Sequence, residues 1–240
     1  MPEIDLVVEE ASGEFDALSS LVSFSTRGRL NGRTLAVRSR IVASDASVLF
    51  IAAAFEEGVR QLGTAYARQL CAKKNIPPDR MKALRSGLWE RASSVLYTRQ
   101  LGSKRFDLEV ATQSISVLQN FCLDTTDMSL LVGHGVYNTR NMRTEELNAL
   151  FKRLGINDIC AKAGRSNDFK RFFTAQSVGA AESEFRQYLD KFYETRNAAT
   201  HDLGLFRALG AVDLQRNIDF FKLAIFRVGE VLKQDILSVD

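Results

Sequence analysis

The segment RNAATH, residues 196–201, places an arginine, an asparagine and one of the chain's two histidines within a single short stretch. Those side chains could hold an anionic group such as a phosphate and move a proton at neutral pH. Histidine, with an ordinary pKa near 6.5, serves as either base or acid at neutral pH. His201 alone cannot do both at once, whereas two copies in a symmetric dimer can. Arg196 offers a bidentate fork to the phosphate, and Asn197, one turn from His201, can orient the imidazole or the nucleotide. An arginine about five residues before a histidine is weak evidence alone. Requiring an asparagine directly after the arginine reduces the chance rate in this composition to about 2%.

Competing chemistries find little support. The chain has no G-x-S-x-G elbow, no GxxxxGK[ST] loop and no GxGxxG fingerprint. His134, in GHG, stands far from His201 with no HExxH or H-x-x-E-H spacing, so no metal site is expected, and it reads as a solvent-exposed turn residue. No cofactor is implied. Glu194, two residues before Arg196, either raises the histidine pKa or repels RNA. Tyr193 either stacks on a base or packs against the core. Arg27, Arg29, Arg33, Arg38 and Arg40 lie close together and either track a phosphate backbone or form a solvated basic surface. Arginines make up 22 of the 32 basic residues, which favours an anionic partner despite a net charge of only +3.

The motif must be carried by a helix. At about 100° per residue, Asp190, Glu194, Asn197 and His201 share a polar band about 60° wide, while Phe185, Leu189, Phe192 and Ala199 form the opposite, core-facing stripe. Arg196 falls about 140° from His201, beside the apolar stripe. It reaches a shared phosphate if the helix loosens near Gly204, if its stem snorkels outward, or if a second chain completes the site.

Further helices are expected over about 44–76, capped by Ser44 or Asp45, over 77–101, and around 107–122. The stretch LLVGHGVYNTRNM reads as a loop because Gly133 and Gly135 break the periodicity. A helix restarts in RTEELNALFKRLG, with Glu145 and Glu146 in its first turn and Gly155 just past its end. Two long helices, roughly 180–202 and 210–236, close the chain. The first 43 residues form either a short helix at FDALSSLV or a hairpin at Asn31-Gly32. The expected organisation is an arginine-rich segment over 1–43 and an all-α domain over 44–240. Cys71, Cys122 and Cys160 are too scattered for a disulfide framework and point to a reducing cytoplasm. The acidic start and the short VLFIAAAF run argue against a signal peptide and against a membrane partner.

At Arg196, Asn197 and His201 the sequence resembles the HEPN superfamily, all-helical proteins with an R-x4-6-H motif. The early acidic helix VLFIAAAFEEGVRQL, the segment TEELNALFKRLGIND and the long helix after the motif resemble the HEPN clade associated with RiboL-PSP proteins. The resemblance spans about 44–236, and its motif is the specific part. Asp202 departs from the small or apolar residue that follows the motif in many relatives. The resemblance implies a helical bundle and a metal-independent endoribonuclease, in which the RNA 2′-hydroxyl attacks the neighbouring phosphorus, a base takes its proton, a cation meets the charge on the phosphoryl oxygens, and an acid protonates the departing 5′-oxygen. It also implies a homodimer in which two motifs face one RNA, working as a toxin or an antiphage defence effector with an antitoxin or regulatory protein as partner. The alternative it implies is a catalytically inactive module that binds RNA or another protein.

Overall fold

The computed structural model describes residues 2–26, 29–30, 33–34, 37–73, 75–101, 108–122, 129–136, 141–201 and 209–239. Apart from one short ladder, every regular element among them is helical: the fold is an all-α bundle. None of the described helices is long and apolar enough to cross a membrane.

Helix α1 (Pro2–Thr26) buries Ile4, Val7, Ala11, Phe15 and Val22, spaced three, four or seven residues apart, and turns its carboxylates outward. Both expectations for this region occur in succession. The helix is followed by an antiparallel ladder of β1 (Arg29–Leu30) with β2 (Arg33–Thr34), pairing Arg29 with Thr34 and Leu30 with Arg33. Asn31 and Gly32, the expected turn, lie outside the described residues.

Helix α2 (Val37–Cys71) begins earlier than expected. Ser44 and Asp45 therefore sit inside it and do not cap it. The Ser44 hydroxyl donates to the Leu209 carbonyl at 3.2 Å, and Asp45 is buried. The expected boundary between 43 and 44 falls within this helix, and α1 belongs to the same core. At Gly229 of α9 (Ala211–Leu237), the backbone approaches Val8 and Ile4 of α1 and Leu62 of α2. Phe55 of α2 and Phe192 meet Phe221 of α9 with centroids 4.6 and 4.5 Å apart. Each such ring contributes about 1.5–3 kcal/mol by its burial.

Helix α3 (Pro78–Leu101) opens on proline, whose missing N–H costs nothing in a first turn. Helices α4 (Leu108–Cys122), α5 (Thr144–Arg153), α6 (Ile159–Gly164), α7 (Asn167–Phe173) and α8 (Val178–His201) complete the bundle with α9. Gly155 follows α5 with φ +81°, the left-handed conformation expected of a glycine past a helix end.

The stretch expected to be a loop is helical over Leu131–Gly135, which form a π-helical turn, whereas Asn141 and Met142 at its end have no regular structure. Packing overrides the glycine signal. Leu131 and Val136 are buried, side chains of Leu154, Leu131 and Leu88 close around Gly135, and Arg153 Nε donates to the Gly135 carbonyl at 2.9 Å.

One polar cluster ties the far end of the bundle. The Tyr66 hydroxyl donates to Asp235 at 2.6 Å, Arg80 grips both Asp235 oxygens at 2.6 and 3.2 Å, and Arg80 also donates to the Tyr66 hydroxyl. Three helices, α2, α3 and α9, are joined there.

Candidate active site

The motif lies on the last turns of α8, and the helix faces as the sequence requires. Phe185, Leu189, Phe192 and Ala199 are buried, whereas Glu194 is exposed and Asp190 and Asn197 are half-buried. The wheel therefore places Asn197 on the outer face, and tertiary contacts fix it there.

Asn197 is held from a neighbouring segment. Its Oδ1 accepts from Asn141 Nδ2 at 2.8 Å and makes a longer contact of 3.4 Å with Arg196 Nη1. Arg196 is half-buried, as its place beside the apolar stripe demands, and its stem snorkels far enough to bring the guanidinium to Asn197. Its Nε is buried with no hydrogen-bond partner. The hydroxyl of Tyr193, one helical turn away, is buried beside the Glu56 carboxylate of α2 and the Met142 backbone. Burial first, and then the nearby Glu56 carboxylate, hold the Tyr193 hydroxyl well above its ordinary pKa.

Asp190 serves structure. No side chain of its own caps α5, and Asp190 Oδ1 accepts from the Thr144 N–H at 2.9 Å, replacing that cap from α8. Beside it opens a cleft of about 440 Å³ lined by Asn141, Arg143, Glu145, Glu146, Asp190 and Glu194. Four carboxylates make it acidic.

Of the residues expected to act, the structure joins Arg196 with Asn197. The backbone of His201 closes α8, while the side chains of His201, His134, Arg29 and Arg33, and the whole of Arg27, lie outside the described residues. Tyr193 is not available to stack on a base: it is fully buried, edge-on to Phe192 at 5.5 Å. Arg38 and Arg40 are exposed on the first turn of α2.

Asn141, Glu56 and Asp45 were not selected from the sequence as site residues. Glu56 and Asp45 stand eleven positions apart, within about 20° on one face of α2. Asp45 also has a buried oxygen without a partner, and burial raises its pKa. The only signal available was a pair of carboxylates on the buried side of an otherwise apolar helix. Among the described residues no group of three His, Cys, Asp or Glu side chains is arranged to hold a metal ion. No family model, no curated protein and no solved structure matches the chain.

Proposed function

We propose that the chain is a metal-independent endoribonuclease of the HEPN type, a homodimer that serves as a toxin or defence effector and is restrained by an antitoxin or regulatory protein. The observation that carries this reading is the Arg196–Asn197 pair on the last turns of α8, with Asn197 held in place by Asn141. Arg196 has donor capacity to spare for a phosphoryl oxygen. Asn197, fixed by Asn141, orients the reacting group one turn from His201. His201 moves the proton, acting as base in one copy and acid in the other.

A second reading has its own observation. The cleft beside Asn197 is acidic, with Glu145, Glu146, Asp190 and Glu194 in its lining, and would repel a polyanion. That favours a module that engages a basic segment of another protein.

Purified wild type, His201→Ala and Arg196→Ala are incubated with a mixed RNA pool in excess EDTA. Fragments ending in 2′,3′-cyclic phosphate are expected from the wild type alone. An unaltered cleavage rate in His201→Ala overturns the ribonuclease reading. Wild-type RNA binding without cleavage, weakening steeply with salt, supports a non-catalytic RNA-binding module.

A further inference from the structure

Helix α1 carries Glu3, Asp5, Glu9, Glu10, Glu14 and Asp16 with no lysine or arginine, and the cleft beside Asn197 is acidic as well. A polyanion that meets the motif must therefore be held from elsewhere. Helix α3 has the opposite balance, with Arg80, Lys82, Arg85, Arg91 and Arg99 against Asp79 and Glu90. Of these, Arg80 is spent on Asp235.

Helix α3 also turns aromatic rings into solvent. Tyr97 is 70% exposed, and Trp89, the chain's single tryptophan, is 37% exposed. At about 100° per residue, Arg85, Trp89, Lys82 and Tyr97 fall within a band about 120° wide, whereas the buried Leu84, Leu88 and Val95 lie about 100–140° from Trp89. Asp79 and Glu90 keep to one edge, about 80° and 100° from Trp89. Lys82 is exposed and Arg85 half-buried. Rings open to water beside cations match a ligand that offers flat π faces and negative charge together.

Helix α5 links this face to the motif. Its first residue, Thr144, is held by Asp190 of α8, and its last, Arg153, packs its backbone on Gly87 of α3, where an added Cβ would come 2.6 Å from the Arg153 Cα. At 1.5 Å per residue the two ends stand about 14 Å apart. A single strand of a few nucleotides covers that span.

We propose that the exposed face of α3 binds single-stranded RNA, with Trp89 and Tyr97 stacking on bases and Lys82 and Arg85 meeting phosphates. The proposal rests on RNA being the ligand of the motif. Trp89 and Tyr97 are about 12 Å apart along the helix, three to four nucleotides at a stacked spacing of about 3.4 Å. Every base has a face to stack, so this site supplies affinity rather than sequence preference. Paired bases keep their faces covered, so a duplex is not held.

Trp89 emission reports on this face alone, because the chain has no other tryptophan. The full-length His201→Ala chain is titrated in EDTA with a ten-nucleotide oligouridylate, and binding is followed in parallel by the anisotropy of the same strand carrying a 3′ label. Quenching of Trp89 is expected to saturate together with the anisotropy, and an RNA duplex of equal length is expected to quench little. Trp89→Ala and Tyr97→Ala each weaken binding at least tenfold with unchanged helical circular dichroism, while Trp89→Phe stays within about threefold. Lys82→Gln and Arg85→Gln each lessen the slope of log affinity against log salt by about 0.7. A strand that binds without changing Trp89 emission overturns the proposal. So does a folded Trp89→Ala that binds as tightly as its parent, or a chain that binds no strand, which would leave the face to a protein partner. Cleavage by the wild type with Trp89 emission unchanged overturns this proposal alone, and quenching without cleavage supports it while removing only the catalytic half of the ribonuclease reading.

Discussion

The bundle contains two clusters built from the same three kinds of side chain. At one end Tyr66, Arg80 and Asp235 are joined by hydrogen bonds that use the hydroxyl, both carboxylate oxygens and both guanidinium Nη atoms, leaving only Arg80 Nε without a partner. At the other, Tyr193, Arg196 and Glu56 gather beside the motif: the Glu56 carboxylate faces the Tyr193 hydroxyl, and Arg196 Nη1 makes one long contact with Asn197. The first cluster spends its polarity on holding three helices together. The second is tied more loosely, and Arg196 keeps donor capacity for a ligand.

The same substitution at the two arginines separates these roles most widely. Arg80→Ala leaves Asp235, whose side chain is only 11% exposed, as a buried charge without its partner. The expected loss is about 3–5 kcal/mol, a fall of roughly 10 °C in melting temperature for a chain of this size. Arg196→Ala removes one long contact and is expected to cost about 1 kcal/mol or less and, under the proposed function, to abolish RNA cleavage. Thermal unfolding followed by circular dichroism reads both. Equal losses at the two positions would make the second cluster a structural tie like the first.

A smaller effect distinguishes the tyrosines. Tyr66→Phe deletes a hydroxyl that donates to Asp235 and accepts from Arg80, and is expected to cost about 1–3 kcal/mol in urea unfolding. Tyr193→Phe deletes a buried hydroxyl that the Glu56 carboxylate and the Met142 backbone hold less closely, so the loss is expected to be smaller, about 1 kcal/mol or less. A loss at Tyr193 as large as that at Tyr66 would mean that its hydroxyl is held as closely, and the contrast would disappear.

Neither cluster was legible in the sequence, and the reason is distance along the chain: Tyr66 and Asp235 are separated by 169 positions. What was legible is what one helix determines by itself. The period of α8 predicts that Phe185, Leu189, Phe192 and Ala199 turn inward and Asn197 outward, and the all-α bundle follows from the same periodicity repeated. Helix α1 was read only over FDALSSLV because Glu3, Asp5, Glu9 and Glu10 crowd its first half. The stripe from Ile4 to Val22 shows only when counted over the whole helix. Gly133 and Gly135 suggest a loop, whereas the helical form of this turn depends on Leu88 of α3 and on Arg153 and Leu154 at the end of α5. Asp190 looked like part of the motif stripe, and only the approach of Thr144 makes it the cap of α5.

The smallest expected effect concerns Asp45, the carboxylate that shares a face of α2 with Glu56. Burial raises its pKa in the folded chain above the ordinary aspartate value of 3.8, because the ionised form loses its water and Oδ1 finds no hydrogen bond. The unfolded chain releases that proton more readily than the folded one. Ionisation therefore opposes folding: the penalty is complete above the raised folded pKa, shrinks as the pH falls through it, and is gone below the unfolded value. Asp45→Asn removes the charge at every pH. It is expected to raise the melting temperature by about 2 °C at neutral pH, a gain that narrows on acidification and vanishes below about pH 4. Paired melting curves of wild type and variant across this range check it. A gain independent of pH would assign the effect to packing, and a loss at neutral pH would mean that the ionised Asp45 carboxylate is paired. In that case the site side of α2 would resemble the Tyr66–Arg80–Asp235 tie more closely than the unpaired Asp45 oxygen suggests.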